Sequence, residues 1–200
     1  HPNIQGACDD APGLPLSYGQ RALWFLDRLS PGNPAYVIAG AARTRGLLRV
    51  DALLRAGRAL VARHPALRAT FHGDAAGPRQ RIGAAACLDF RVVEAADLRD
   101  GSEISRHLSE IAFLPFDLER GPLLRLALFH LADGEQALAL SVHHIVADFW
   151  SVGVLLRELA ALYGRELDPS TSTAPLPAPA FPYGELPRRE AERLAGPEGE

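Results

Sequence analysis

Hydrophobic positions first settle into a regular spacing at Leu16. Ala22, Leu23, Phe25, Leu26 and Leu29 recur at helical intervals until Pro31 and Pro34, so the spacing predicts an amphipathic helix. Ser17 and Gln20 stand at its start with the separation of a capping box, in which each side chain satisfies the other residue's backbone N–H. Residues 36–45 place β-formers such as Tyr36 and Ile38 at alternate positions and close at Gly46, which reads as a strand. Asp51 is placed to cap a second helix running to about Arg63, with Leu53, Leu54, Gly57, Leu60 and Val61 on one face and Pro65 as its stop. Short strands are expected at 67–71, 80–82 and 88–92, punctuated by Gly and Pro. A third helix, 102–113, turns Ile104, Leu108, Ile111 and Ala112 inward and ends before Pro115. Residues 123–131 and 136–142 are apolar with little alternation, the pattern of central strands, and Asp133-Gly134 supplies the hairpin between them. The last helix, 151–163, has Val154, Leu155, Leu159 and Leu162 on its core face and Gly164 at its end. Helices mixed with strands on a partly antiparallel sheet make the fold class α/β (α+β).

Outside this stretch the pattern fades. Residues 1–15 carry Gly, Pro and Asp and read as a lead-in segment, while 168–186 turn to Pro, Ser, Thr and Ala and read as a semi-rigid linker. Residues 187–195 have the pattern for one more short helix. With 48% hydrophobic and 22% charged residues among 200, the chain is expected to fold rather than stay disordered. It has no Met, begins at His1 and stops on a polar run, so it reads as an excised piece of a longer protein.

A net charge of −3 provides no basic field for phosphate backbones, so nucleic acid is not an expected partner. No run approaches the ~20 apolar residues of a membrane span, and no secretory leader is evident, which makes the cytoplasm the expected compartment. Cys8 and Cys87 stand far apart without metal-ligand spacing, so neither a zinc site nor a disulfide framework is expected.

The chemistry concentrates in Ser141-Val142-His143-His144-Ile145-Val146-Ala147-Asp148-Phe149-Trp150-Ser151. Consecutive strand residues point to opposite faces, so His143 and His144 cannot both aim at one metal ion. Two readings stay open at this point. Both rings are satisfied in the core, or one is structural while the other faces a cleft as a general base, a role suited to a side chain that ordinarily titrates near neutrality. Asp148 is either a carboxylate at a helix N-terminus or one half of a buried pair with an arginine. Trp24 and Trp150 read as packing anchors, and His64, His107 and His130 as surface or satisfied core residues.

This segment resembles the HHxxxDG signature of the condensation domains of nonribosomal peptide synthetases, in the form followed by Trp-Ser. Leu16-Ser17-Tyr18-Gly19-Gln20-Arg21-Ala22-Leu23-Trp24-Phe25 resembles the family's opening motif, and Arg63-His64-Pro65-Ala66-Leu67-Arg68-Ala69-Thr70-Phe71 its second. Pro115-Phe116-Asp117-Leu118-Glu119-Arg120-Gly121-Pro122-Leu123-Leu124-Arg125 is similar to a further family stretch. The resemblance implies a two-layer sandwich, a chloramphenicol-acetyltransferase-like lobe with a mixed sheet flanked by helices, and a complete domain of two such lobes with the reaction channel between them. Residues 16–167 are then the N-terminal lobe, and 187–200 lead to a C-terminal lobe absent from this sequence, so the fragment alone is expected to be inactive.

The implied reaction joins a donor acyl thioester to an acceptor aminoacyl amine, each tethered to a carrier protein by a phosphopantetheine arm, with no cofactor bound by the lobe itself. His144 is the implied base or amine-positioning residue and His143 a structural one. Asp148 is expected to pair with Arg63 in preference to Arg68, and Trp150 and Ser151 complete the motif. Phe149 departs from the family's Gly. It reads either as a residue that reshapes the channel, for a donor such as a polyketide intermediate, or as the mark of reduced condensation, or as core packing. Two alternative functions remain: a pathway acyltransferase acting on a free alcohol or amine, and a non-condensing docking domain.

Overall fold

The computed structural model describes residues 13–74, 77–168, 170, 176–177 and 183–185. The linker is therefore described only at a few points, and the short helix expected at 187–195 lies outside the described residues, as does Cys8.

Seven strands and four helices follow one another as β1 (Leu14–Pro15), α1 (Tyr18–Leu29), β2 (Val37–Arg43), α2 (Val50–Arg63), β3 (Ala69–Asp74), β4 (Gly77–Ile82), β5 (Asp89–Ala95), α3 (Gly101–Ala112), β6 (Leu124–Leu131), β7 (Gln136–His143) and α4 (Phe149–Leu167). The main sheet has the order β2-β7-β6-β5, with β5 parallel to β6 and the other pairs antiparallel. It is the expected mixed sheet, and the two unalternating apolar strands are its central pair. Ala132 to Glu135 close their hairpin with positive φ at both Asp133 and Gly134, the conformation that suits strand twist. A smaller sheet, β1-β4-β3, stands beside it.

Alternation along β6 divides the core. Leu124, Leu126 and Leu128 join Leu140 and Val142 of β7 against Leu53, Leu60 and Val61 of α2 and Leu155 and Leu159 of α4. Ala127, Phe129 and Leu131 face the other way and pack with Ile104 of α3. Helices α2 and α4 thus lie on one face of the sheet and α3 on the other. Gly57 lets α2 approach closely, since a Cβ there would stand 2.6 Å from Leu88 and 2.9 Å from Leu126.

Ser17 caps α1 through the expected box with Gln20. The apolar face of that helix is only partly covered. Leu23 and Trp24 pack inward, with Trp24 over Gly73, whereas Phe25 and Leu29 remain 57% and 66% exposed. Asp51 is not the cap of α2: Arg49 holds that position without a side-chain bond, and Asp51 lies in the first turn, paired with Arg49 and Arg55. Leu67 and Arg68, expected as the start of a strand, belong instead to a 3-10 turn over Pro65–Arg68, and β3 starts only at Ala69. Gly164 does not end α4, which runs on to Leu167. The end of α4 contacts α2 on both sides of Gly164, with Arg49 N–H donating to Tyr163 Oη at 2.8 Å and Arg55 Nε to Glu166, in the extra turn, at 2.5 Å.

Candidate active site

Strand β7 delivers the two histidines, with His143 as its last residue and His144 as the first beyond it. The rings take opposite settings. His143 is 2% exposed and lies between Tyr36 and Phe116, the latter meeting it edge-on with ring centroids 6.4 Å apart. Its Nδ1 accepts the Ile145 N–H at 3.1 Å, which leaves the ring proton on Nε2. Burial, helped by the neighbouring His144, pushes its pKa down to about 4, so it is neutral at pH 7.

His144 is exposed. Its backbone N–H donates to the Tyr36 carbonyl at 2.8 Å, and its ring Nδ1 stands 2.9 Å from the Ala147 carbonyl oxygen. A carbonyl can only accept, so Nδ1 carries the proton and Nε2 keeps its lone pair on the opposite, open edge of the ring. That is the tautomer a general base requires. The next residue fixes the loop: the Ile145 side chain is buried, its N–H is held by His143, and its carbonyl accepts from Gln20 Nε2 at 3.2 Å.

Asp148 is exposed and caps α4, accepting from the Ser151 N–H at 2.7 Å and the Ser151 hydroxyl at 2.6 Å. Those bonds, the hydroxyl first, hold its carboxyl below the usual carboxylate range. The expected buried pair of Asp148 with Arg63 is therefore not formed. Arg63 pairs instead with Glu158, Nε to Oε2 at 2.7 Å, and His64 Nε2 reaches the same oxygen at 2.7 Å. The reason is placement: Arg63 ends α2, which packs along α4 beside Glu158, whereas Asp148 stands at the helix start. Burial pushes the Glu158 pKa up, but hydrogen bonds from Arg63 and His64 outweigh it and leave the carboxyl below its ordinary value. Arg68 donates to the Gly83 carbonyl at 2.6 Å and also leaves Asp148 alone. Ser151 serves the cap.

Phe149 and Trp150, the first residues of α4, are 79% and 82% exposed. Trp150 is thus no packing anchor in this chain, and Phe149 is not core. Both rings stand in the open immediately after the histidine loop.

Two supporting residues receive no role from the sequence alone. Glu158 looks like part of any solvated helix face until α2 is laid beside it. Arg125 carries a clearer signal, as the one charged residue in the apolar run of β6. It is 4% exposed, bonds Asp89 at 2.6 Å and the Leu114 carbonyl at 2.8 Å, and lies over the Phe116 ring that packs on His143. Among the described residues no His, Cys, Asp or Glu cluster could hold a metal ion, and no helix is long and apolar enough to cross a membrane.

Comparison with known proteins bears on the family and the fold. The family model for the condensation domain matches residues 12–192. Chondramide synthase cmdD of Chondromyces crocatus is 40% identical over 184 residues, covering 90% of this chain and 5% of that protein. Phosphinothricin tripeptide synthetase PhsC of Streptomyces viridochromogenes is 36% identical over 192 residues, covering 94% and 18%. Among solved structures, the first condensation domain of the CDA synthetase superposes with a TM-score of 0.78 at 24% identity, covering 94% of this chain and 48% of its own. The starter condensation domain of rhizomide synthetase RzmA gives a TM-score of 0.78 at 23% identity, covering 93% and 45%. The chain therefore spans a small part of the curated relatives and just under half of the solved condensation-domain chains. With the family model matched from residue 12 to residue 192 around a solvent-facing histidine, the chain belongs to the condensation-domain family.

Proposed function

We propose that residues 16–167 are the N-terminal lobe of an amide-forming condensation domain, that 168–186 link it to a second lobe, and that 187–200 lead into that lobe. The observation that carries the reading is His144, whose Nδ1 is tied to the Ala147 carbonyl while Nε2 is left free on the exposed side. A donor acyl thioester and an acceptor aminoacyl group, each on the phosphopantetheine arm of a carrier protein, meet at that nitrogen. The acceptor amine attacks the thioester carbonyl, the C–N bond forms, and His144 takes the amine proton. As the C–S bond breaks, the proton passes to the departing sulfur. A neutral amine is already a good nucleophile, so alignment by His144 contributes alongside proton transfer. Donors for the tetrahedral oxyanion belong on the facing wall or the substrate arms. Phe149 and Trp150 line the acceptor side of the channel, and Phe149 in place of Gly narrows it. The work is cytoplasmic, as for other carrier-tethered chemistry.

The test is peptide transfer by the full-length protein that carries this chain, with loaded donor and acceptor carriers. His144→Ala is expected to lower kcat by about 10²-fold or more, the usual range for loss of a general base. Undiminished transfer by that variant removes His144 from the reaction.

A further inference from the structure

A buried polar knot stands behind the histidine loop. Gln20 Nε2 donates both to the Ile145 carbonyl at 3.2 Å and to Tyr183 Oη at 2.7 Å. The Tyr183 hydroxyl donates in turn to Gln80 Oε1 at 3.0 Å. Gln80, with no exposed surface, donates from Nε2 to the Pro15 carbonyl at 2.9 Å and to Gln20 Oε1 at 3.3 Å. Gln20 Oε1 also accepts the Ser17 N–H of the α1 cap at 3.0 Å. Five parts of the chain meet here: strand β1, the start of α1, strand β4, the loop after β7, and the residues around Tyr183.

The wiring is directional. Gln20 has two amide hydrogens, and they go to the loop and to Tyr183. Tyr183 is held in turn by a glutamine that cannot move without breaking the small sheet. Tyr183 is half-buried, and desolvation pushes its pKa up to about 12 against the hydrogen bond from Gln20, so the hydroxyl keeps its proton as donor at any working pH. Arg63 also donates to the Pro177 carbonyl.

We infer that Gln20 and Tyr183 are positioning residues for His144: the Tyr183 hydroxyl fixes the Gln20 amide, and that amide fixes the Ile145 carbonyl and hence the loop that aims the His144 ring. This rests on the assignment of His144 to the reaction. Neither residue touches the open edge of His144, so their effect reaches the chemistry only through the loop. Small misplacements of an aligned group are costly to rate and leave binding little changed.

Two variants in the full-length protein separate the outcomes. Tyr183→Phe removes only the hydroxyl. Gln20→Glu keeps the acceptor for the Ser17 cap but loses both donated bonds. Amide hydrogen exchange over residues 143–148, followed by mass spectrometry, reads the loop independently of activity. In both variants exchange there is expected to quicken about fivefold to tenfold, the loss of one or two neutral hydrogen bonds, and kcat to fall by a similar factor with KM unchanged. Unchanged exchange overturns the proposal, as does faster exchange with wild-type kcat. A kcat loss that only tracks loss of folded protein by circular dichroism also overturns it. His144→Ala in the same assay keeps the two questions apart: wild-type turnover by that protein defeats the assigned role of His144, while the exchange result still reports whether the knot holds the loop.

Discussion

His143 and His144 are neighbours in sequence and opposites in setting, the first buried and the second exposed. His143 is buried with a pKa pushed down to about 4, against about 6.5 for an ordinary histidine in the unfolded chain. Between those values the unfolded chain binds the extra proton, so stability is complete above pH 6.5 and falls as pH drops towards 4, by about 3 kcal/mol in total. His143→Asn can keep an acceptor for the Ile145 N–H without titrating. Urea unfolding across pH 4–7 is expected to show a shallower acid loss for that variant than for the parent, and equal slopes would refute the buried-histidine account. Strand alternation makes it legible in the sequence that the two rings do not share a cleft, but not which of them is buried. Nor is the fate of Phe149 legible. A lone aromatic after an acidic residue reads equally as core or channel, and only its 79% exposure at the start of α4 removes the first. With the ring in the open, Phe149→Gly is expected to cost about 1 kcal/mol or less in stability, the usual helix penalty of glycine. Donor and acceptor preference should change in the transfer assay, and unchanged preference would deny Phe149 a place in the channel.

At the scale of elements, α2 and α4 are locked by an ion pair that the motif pattern assigns to a different acid. Arg63 and His64 close on Glu158, with side chains only 20%, 20% and 12% exposed, while Asp148 spends its carboxylate on Ser151. The two acids therefore predict different costs. Glu158→Ala strands a mostly buried guanidinium and is expected to destabilise by about 2 kcal/mol, below the ~3–5 of a fully buried pair because some solvent remains. Asp148→Ala removes only a helix cap, worth about 1 kcal/mol. Thermal unfolding of the two variants decides, and a larger loss for Asp148→Ala would restore the motif-based pairing. The elements themselves are largely readable: the α1 capping box, the buried hairpin of β6 and β7, and the stop before Pro65 all follow from local chemistry. What local chemistry misses is tertiary. Gly164 reads as a stop, yet the grip of Tyr163 and Glu166 on α2 carries the helix through it, and Pro65 turns a strand-like apolar run into a 3-10 turn.

At the scale of the whole molecule, the described residues form a packed core with several large apolar side chains left exposed. Among the described residues, three apolar clusters pack on both faces of the main sheet and at its junction with the small one. The elements that border the histidine loop are covered far less well. Tyr18, Phe25 and Leu29 of α1 and Phe149 and Trp150 of α4 are each more than half exposed. An enzyme site depends on donors converging from several sides and on exclusion of water, and among the described residues His144 Nε2 has no hydrogen-bond partner on its exposed side. The isolated chain is therefore expected to give a single sigmoidal urea transition and no detectable amide formation from carrier-bound substrates, under conditions where the full-length protein turns over. Transfer by the isolated chain at a rate comparable to the full-length protein would show that one lobe suffices, and the linker reading of residues 168–186 would lose its reason. A failed transition would point the other way, to a core that also needs the second lobe, and would make the exposed rings on α1 and α4 part of the folding interface rather than of the channel alone.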